Sequence, residues 1–414
     1  MSNKKGLGII AAVIILLIIA VMGVVVVSFL NRNTAGTVNY VQSQQAFYLA
    51  ESGVQKAFLA LNRDNWSGWA GTDPKTMQGS LADYGDYDIS VASITGDTPR
   101  ISTWGFVPGR SASGMAVRRV DVKAIKTNLF QAYAAFAGGS GSGNSVAIKL
   151  AGSSFTDSYD SSKGAYDAAG SDGQLNKGAD GDVGTNTDIA VQGKAHINGD
   201  ASTGAGGIFS DQSAVTGKIT HEMNIALPEV VVPSGLLSLP QEGSVDSSRD
   251  INGNHKFTAI NLSGGEVLTV AGPASIYLTG PKSINITGAA AIIVSSSSIG
   301  PVVIYVDGSV YASGQGIVNS GHKPVDFQLY GTSSCKSIDV SGQGDFYGLV
   351  YAPQADLKIG GQGELFGSYI GNTLQISGST KGGLHHDVSV GAGGGFLPGF
   401  IPGLWRPKDW TEVY

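Results

Sequence analysis

The chain has 414 residues, of which only 14 % are charged and 61 are Gly, and its formal net charge is −6. An ordinary domain is about one-quarter charged and about 7 % Gly; a hydrophobic content of 42 % excludes a disordered acidic chain, and Gly without a three-residue period excludes collagen. Arg249 is the sole Arg between Arg119 and Arg406, so the clustered cations that displace counterions are missing and a nucleic-acid partner is not expected.

In chain order, residues 6–30 come first as an uncharged apolar run preceded by Lys4 and Lys5. About 20 such residues span a bilayer as a helix, so a transmembrane helix is expected over 7–30. The positive-inside rule places the amino terminus in the cytoplasm and the rest beyond the inner membrane, as a single-pass protein. Phe47, Ala50, Val54, Ala57, Phe58 and Leu61 then recur at steps of three and four, which continues one apolar helical face. One long helix over 7–62 follows, on the order of 80 Å at 1.5 Å per residue.

Lys4-Lys5-Gly6, the apolar helix and the stretch Ala46-Phe47-Tyr48-Leu49-Ala50-Glu51-Ser52-Gly53-Val54-Gln55-Lys56-Ala57 together resemble the amino-terminal region of PilX-type minor pilins of type IV pili. They are also similar to tip pseudopilins of type II secretion. The resemblance covers residues 4–62, and Ala50-Glu51-Ser52-Gly53 is its most specific part. It implies a leader over 1–6, cut by a prepilin peptidase between Gly6 and Leu7, with a cut after Gly8 as the alternative. It also implies partners in other pilin-like subunits, through the helix. Two departures stand out. Leu7 replaces the Phe of major pilins, and Ala11 replaces the Glu that pairs with a neighbouring subunit's amino terminus in that family. A buried unpaired charge is costly, so its absence suits a minor or tip position.

Residues 63–85 read as a polar loop. Strands are expected over 87–94, 101–106 and 117–125, the last from its alternation of Val117, Val120, Val122 and Ile125 with charged residues. Packed on the helix, they would form a small pilin-like α+β head over 63–137.

From Gly138 onward Gly, Ser, Ala, Asn and Asp dominate. Ser341-Gly342-Gln343-Gly344-Asp345-Phe346-Tyr347-Gly348 recurs as Gly360-Gly361-Gln362-Gly363-Glu364-Leu365-Phe366-Gly367, and Ser313-Gly314-Gln315-Gly316 is a partial copy. Short apolar strands between Gly corners predict a parallel β-helix, or β-solenoid, over 138–390, with a Pro-containing insertion near 226–250. Tyr351-Ala352-Pro353-Gln354-Ala355-Asp356 and Leu384-His385-His386-Asp387 resemble an uncharacterised carboxy-terminal domain found on PilX-type amino termini. The apolar tail over 391–414 is expected to cap the open solenoid end. The fold class is therefore mainly β, with a long amino-terminal transmembrane and amphipathic helix, a small head and a solenoid.

Chemistry is sparse. Seven Asp lie at 157, 160, 167, 172, 180, 182 and 188, enough oxygen for Ca²⁺ but with the spacing of neither an EF-hand nor a calcium β-roll. Asp345 and Glu364 occupy equivalent positions of adjacent copies, as a glycosidase pair would, yet both follow Gly corners that face solvent. His385 and His386 on one strand point to opposite faces, which disfavours a shared metal. Cys335 is the single cysteine, so no intrachain disulfide forms and an exported chain rests on packing; it reads as a small buried residue. No catalytic, cofactor or metal residue is assigned, and Ca²⁺ is the sole cofactor candidate. The expected function is a structural subunit, minor or tip, of a type IV pilus or pseudopilus, displaying the solenoid for adhesion, with a surface glycan or other envelope ligand as partner. The alternatives are a membrane-anchored scaffold or adhesin outside any filament, and a glycan-active enzyme.

Overall fold

The computed structural model describes residues 3–64, 68–94, 98–139, 146–167, 169, 175–296, 300–361, 363–378, 382–390 and 403–413, without the side chains of 3–16, 18, 19, 30–33, 35, 62–64, 222, 403, 404 and 406. The chain divides into two compact units, Met1–Lys126 with Trp405–Tyr414, and Thr127–Leu404.

The first unit is a helix laid on an antiparallel sheet. Helix α1 runs over Asn3–Asp64 and the sheet is built from β1 (Lys75–Leu81), β2 (Gly85–Ala92), β3 (Arg100–Val107) and β4 (Ala116–Asn128) in that order. Strands β2 and β3 alternate buried and half-buried residues along their length, the period-2 signature of a sheet with one covered face. The covering face is the carboxy-terminal third of α1. Ala46 and Leu49 pack with Val107, Ala50 and Val54 with Val120 and Val122, and Ala57, Ala60 and Leu61 with Ile89, Val91 and Ile101. Strand β1 falls in the stretch read as a loop. It is an edge strand with no buried residue, so it carries no apolar alternation to betray it.

The expectation of a transmembrane helix is corrected. Among the described residues no helix is long and apolar enough to cross a membrane. The single-pass inner-membrane localisation, and the transmembrane element of the fold class, are withdrawn with it. Residues 391–402 lie outside the described residues, while Gly403–Val413 forms a strand beside β4, with Trp405 against the helix–sheet core and Lys123 Nζ 3.0 Å from Asp409 Oδ2.

The second unit is, among the described residues, a 21-stranded, parallel-paired sheet wound on itself. One ladder of inward side chains runs Ile276, Ile304, Leu329, Val350, Tyr369, Ala135 and Val183, each the register partner of the next. The imperfect sequence repeat is the stacking period: Phe346 pairs with Leu365 and Gly348 with Gly367.

The order of the coils in space is not their order in sequence. The strand Leu365–Gly378 stacks on Ala135–Ala137 and Val146–Gly152, and Gly383–Asp387 stacks on Phe155–Tyr159. The chain thus enters the coil stack in its middle and builds outward to Ile219–Met223 at one end. It then crosses to the other end at Arg249–Phe257 and winds back to the entry coil. The Pro-containing insertion is this crossing. It lies over an outer ladder of Tyr277, Tyr305, Tyr330 and Tyr351, register partners in four successive coils, and forms with them a second buried cluster through Ile225, Val230 and Leu236. Tyr351 Oη donates to the Pro228 carbonyl at 2.6 Å. At the start of the crossing, Asn186 accepts from the Ile225 N–H and donates to its carbonyl, both at 2.8 Å.

Candidate functional site

Two places concentrate features beyond simple packing. The first is α1. Along residues 46–61 its sheet-facing side is buried, and the approach is close enough that a Cβ on Gly105 would overlap the Ala46 carbonyl oxygen. Within Ala50-Glu51-Ser52-Gly53 the roles divide by helical spacing. Ala50 is fully buried and Gly53 sits against Thr103 and Ile89, whereas Glu51 is half-buried and Ser52 faces outward with its hydroxyl donating to the Tyr48 carbonyl at 2.8 Å. Further towards the amino terminus the same helix is bare. Leu17 is 62 % exposed, Met22 62 %, Val24 67 % and Phe29 62 %. Gly6, Leu7 and Ala11 lie on the helix backbone, and their side chains fall outside the described residues.

The second place is a buried polar cluster on one corner of the coil stack. Tyr347, Phe366, His385 and Asp157 are successive register partners in adjacent coils. The Tyr347 and Phe366 rings stack at 4.1 Å and 5°, and the Phe366 and His385 rings at 4.7 Å and 28°. Asp157 continues the ladder with a carboxylate, fully buried. Its Oδ1 lies 2.5 Å from His385 Nδ1, its Oδ2 accepts from Tyr166 Oη at 2.8 Å, and Lys177 Nζ lies 3.4 Å from Oδ2. Burial first, and then the Asp157 hydrogen bond and charge, push the Tyr166 hydroxyl far above its ordinary range. Among the described residues His385 Nε2 is buried without a hydrogen-bond partner, with Glu364 Oε1 3.9 Å away. A Cβ on Gly383 would come within 2.6 Å of that nitrogen, so the ring's seat requires glycine there.

The remaining residues singled out from the sequence are dispersed. Asp345 Oδ1 accepts the backbone N–H of Glu364 at 2.8 Å, a coil-to-coil contact, while the Glu364 side chain faces His385. His386 Nδ1 and Nε2 lie 2.9 and 2.8 Å from the carbonyls of Asp180 and Phe130. Asp387 is held by Ser161 and Ser389. Of the seven aspartates, Asp160 bonds Ser162, which holds its carboxyl below the usual range, and Asp180 contacts Ser158. Asp167, Asp182 and Asp188 accept backbone N–H groups of Ala169, Asp200 and Ile208, and Asp172 lies outside the described residues. Among the described residues no group of three or more His, Cys, Asp or Glu is placed to hold a metal ion. Cys335 is buried, and burial pushes its thiol up to about 11. The pairing of His385 with Asp157 was missed from sequence because no local signal spans 228 positions.

Residues 242–392 match a family described as a domain of unknown function (DUF7305), which covers less than half of the chain. No curated protein matches. Among solved structures the chain is similar to the competence-associated pilin ComZ from Thermus thermophilus, at 12 % identity and a TM-score of 0.32, over 90 % of this chain and 97 % of that one.

Proposed function

We propose that this protein is a pilin-like surface subunit that enters a type IV pilus-like filament in a minor or tip position and displays its coiled β unit for adhesion. The reading is carried by the contrast along α1. One end is packed on its own sheet, while Leu17, Val21, Met22, Val24–Val27 and Phe29 stay more than half exposed. Burying each such side chain is worth about 1.5–3 kcal/mol, so a helix of this kind is completed by apolar helices of neighbouring subunits. The Ala46–Ala57 stretch and the Lys4-Lys5-Gly6 leader support the same assignment, with prepilin peptidase acting between Gly6 and Leu7. Ala11 supplies no carboxylate to a following subunit's amino terminus, which favours the tip. The role is structural and not catalytic, and a surface glycan is the ligand class for the displayed unit.

Mass spectrometry of the amino-terminal peptide from sheared surface filaments tests this. A peptide beginning at N-methylated Leu7 is expected, together with loss of the protein from that fraction in a Val24→Asp, Val25→Asp variant that still folds. An intact Met1 terminus, with none of the protein in filaments, overturns the proposal.

A further inference from the structure

We infer that Lys177 and Asp157 condense into an intramolecular amide that staples the segment between them to the coil stack. This inference is independent of the filament reading. Four observations carry it. Lys177 Nζ is 3.4 Å from Asp157 Oδ2, an ion-pair contact that sets the amine beside the carboxyl group it would attack. The carboxylate is fully buried, and its surroundings are aromatic: Lys177 Nζ lies 5.8 Å from the Phe155 ring centre, and the Tyr166 ring 3.9 Å from that of His385. Each carboxylate oxygen already has its own proton-bearing neighbour, Tyr166 Oη at Oδ2 and His385 Nδ1 at Oδ1. Finally, His385 Nε2 is buried with no hydrogen-bond partner among the described residues, so hydrogen bonding accounts for only one of the two ring nitrogens.

The chemistry balances without a co-reactant. The ammonium of Lys177 gives up one proton to the Asp157 carboxylate, where it comes to rest on Oδ1, and the freed nitrogen lone pair attacks Cγ. Charge building on Oδ2 is met by the Tyr166 hydroxyl. Oδ1 leaves as water, taking the His385 Nδ1 proton, while the ring recovers a proton from the new C–N nitrogen. One C–N bond forms, one C–O bond breaks, one water leaves, and nothing is oxidised or reduced. The product keeps no charge at a site where a buried carboxylate stood. It also supplies the covalent cross-link that a chain with a single cysteine lacks.

The test is the mass of the full-length purified protein, referenced to its observed amino terminus, with a tryptic digest of the same sample. The expected chain is lighter than its sequence by one water molecule. Trypsin is expected to leave residues 150–163 joined to 164–194, because an acylated Lys177 is no longer cut. Lys177→Arg is expected at full sequence mass, and Asp157→Asn is expected to lose ammonia in place of water. A parent protein at full mass, with 150–163 and 164–177 released as separate peptides, overturns the inference. So does a water deficit that survives Lys177→Arg.

Discussion

His385 and Asp157, 228 positions apart, are register partners in adjacent coils, with Nδ1 2.5 Å from Oδ1 and both side chains fully buried. They meet because the coil that begins the second unit stacks on the coil that ends it. In a Lys177→Arg background, where Asp157 keeps its carboxylate, removing His385 leaves that buried group short of one partner. His385→Ala is therefore expected to lower the unfolding free energy by roughly 3 kcal/mol or more, with coupling to Asp157→Ala in a double-mutant cycle followed by urea denaturation. Independent, additive losses would contradict the pairing.

The helix–sheet contact of the first unit tolerates no side chain at Gly105, where a Cβ overlaps the Ala46 carbonyl. Gly105→Val is expected to cost about 3 kcal/mol, enough to loosen α1 from β3, whereas the same change at Gly36, which has open space around it on the same helix, leaves the core intact. Hydrogen exchange along residues 46–61 reports it, and unchanged protection in the Gly105 variant would show that the helix sits elsewhere.

The crossing segment hangs on few polar anchors. Asn186 makes two backbone hydrogen bonds to Ile225, so Asn186→Ala is expected to destabilise by about 1–3 kcal/mol and to open residues 224–233 to limited proteolysis before the coils unfold. Equal protease resistance in parent and variant would count against the anchor.

Alkaline pH should unfold the coil stack through its tyrosines. Burial first, then the 2.7 Å hydrogen bond to Asp307, pushes Tyr277 from 10.0 up to about 12. Above pH 10 the unfolded chain ionises this phenol while the folded one keeps its proton, so the unfolded state binds fewer protons and stability falls as pH rises to about 12. Tyr305, Tyr330 and Tyr351 are raised by burial and act in the same direction. Denaturation midpoints are expected to be flat through neutral pH and to drop above pH 10, less steeply in Tyr277→Phe; a midpoint that rises there would refute the account.

Cys335 is fully buried, and its thiol is raised to about 11 by burial. Alkylation at pH 8 is expected to leave the native protein unlabelled and to label it fully in denaturant. Rapid native labelling would place the thiol at the surface.

The periodicities of the chain were enough to determine its local grammar. Steps of three and four over residues 46–61 give a helix face, alternation over β4 gives a half-covered strand, and the Gly-bounded copies at 341–348 and 360–367 give a stacking period. Such patterns are legible because each follows from backbone geometry acting over a few residues. The membrane assignment drawn from residues 7–30 did not survive the structure, since a hydropathy run says what a segment avoids but not what covers it. Tertiary structure alone decided which distant residues meet. The tail became a strand beside β4, the proline-containing insertion a bridge between opposite ends of the coil stack, and a histidine near the carboxy terminus the partner of Asp157. Parallel stacking brings any two coils of matching shape into register whatever their separation in sequence, so no local pattern records which coil will be the neighbour.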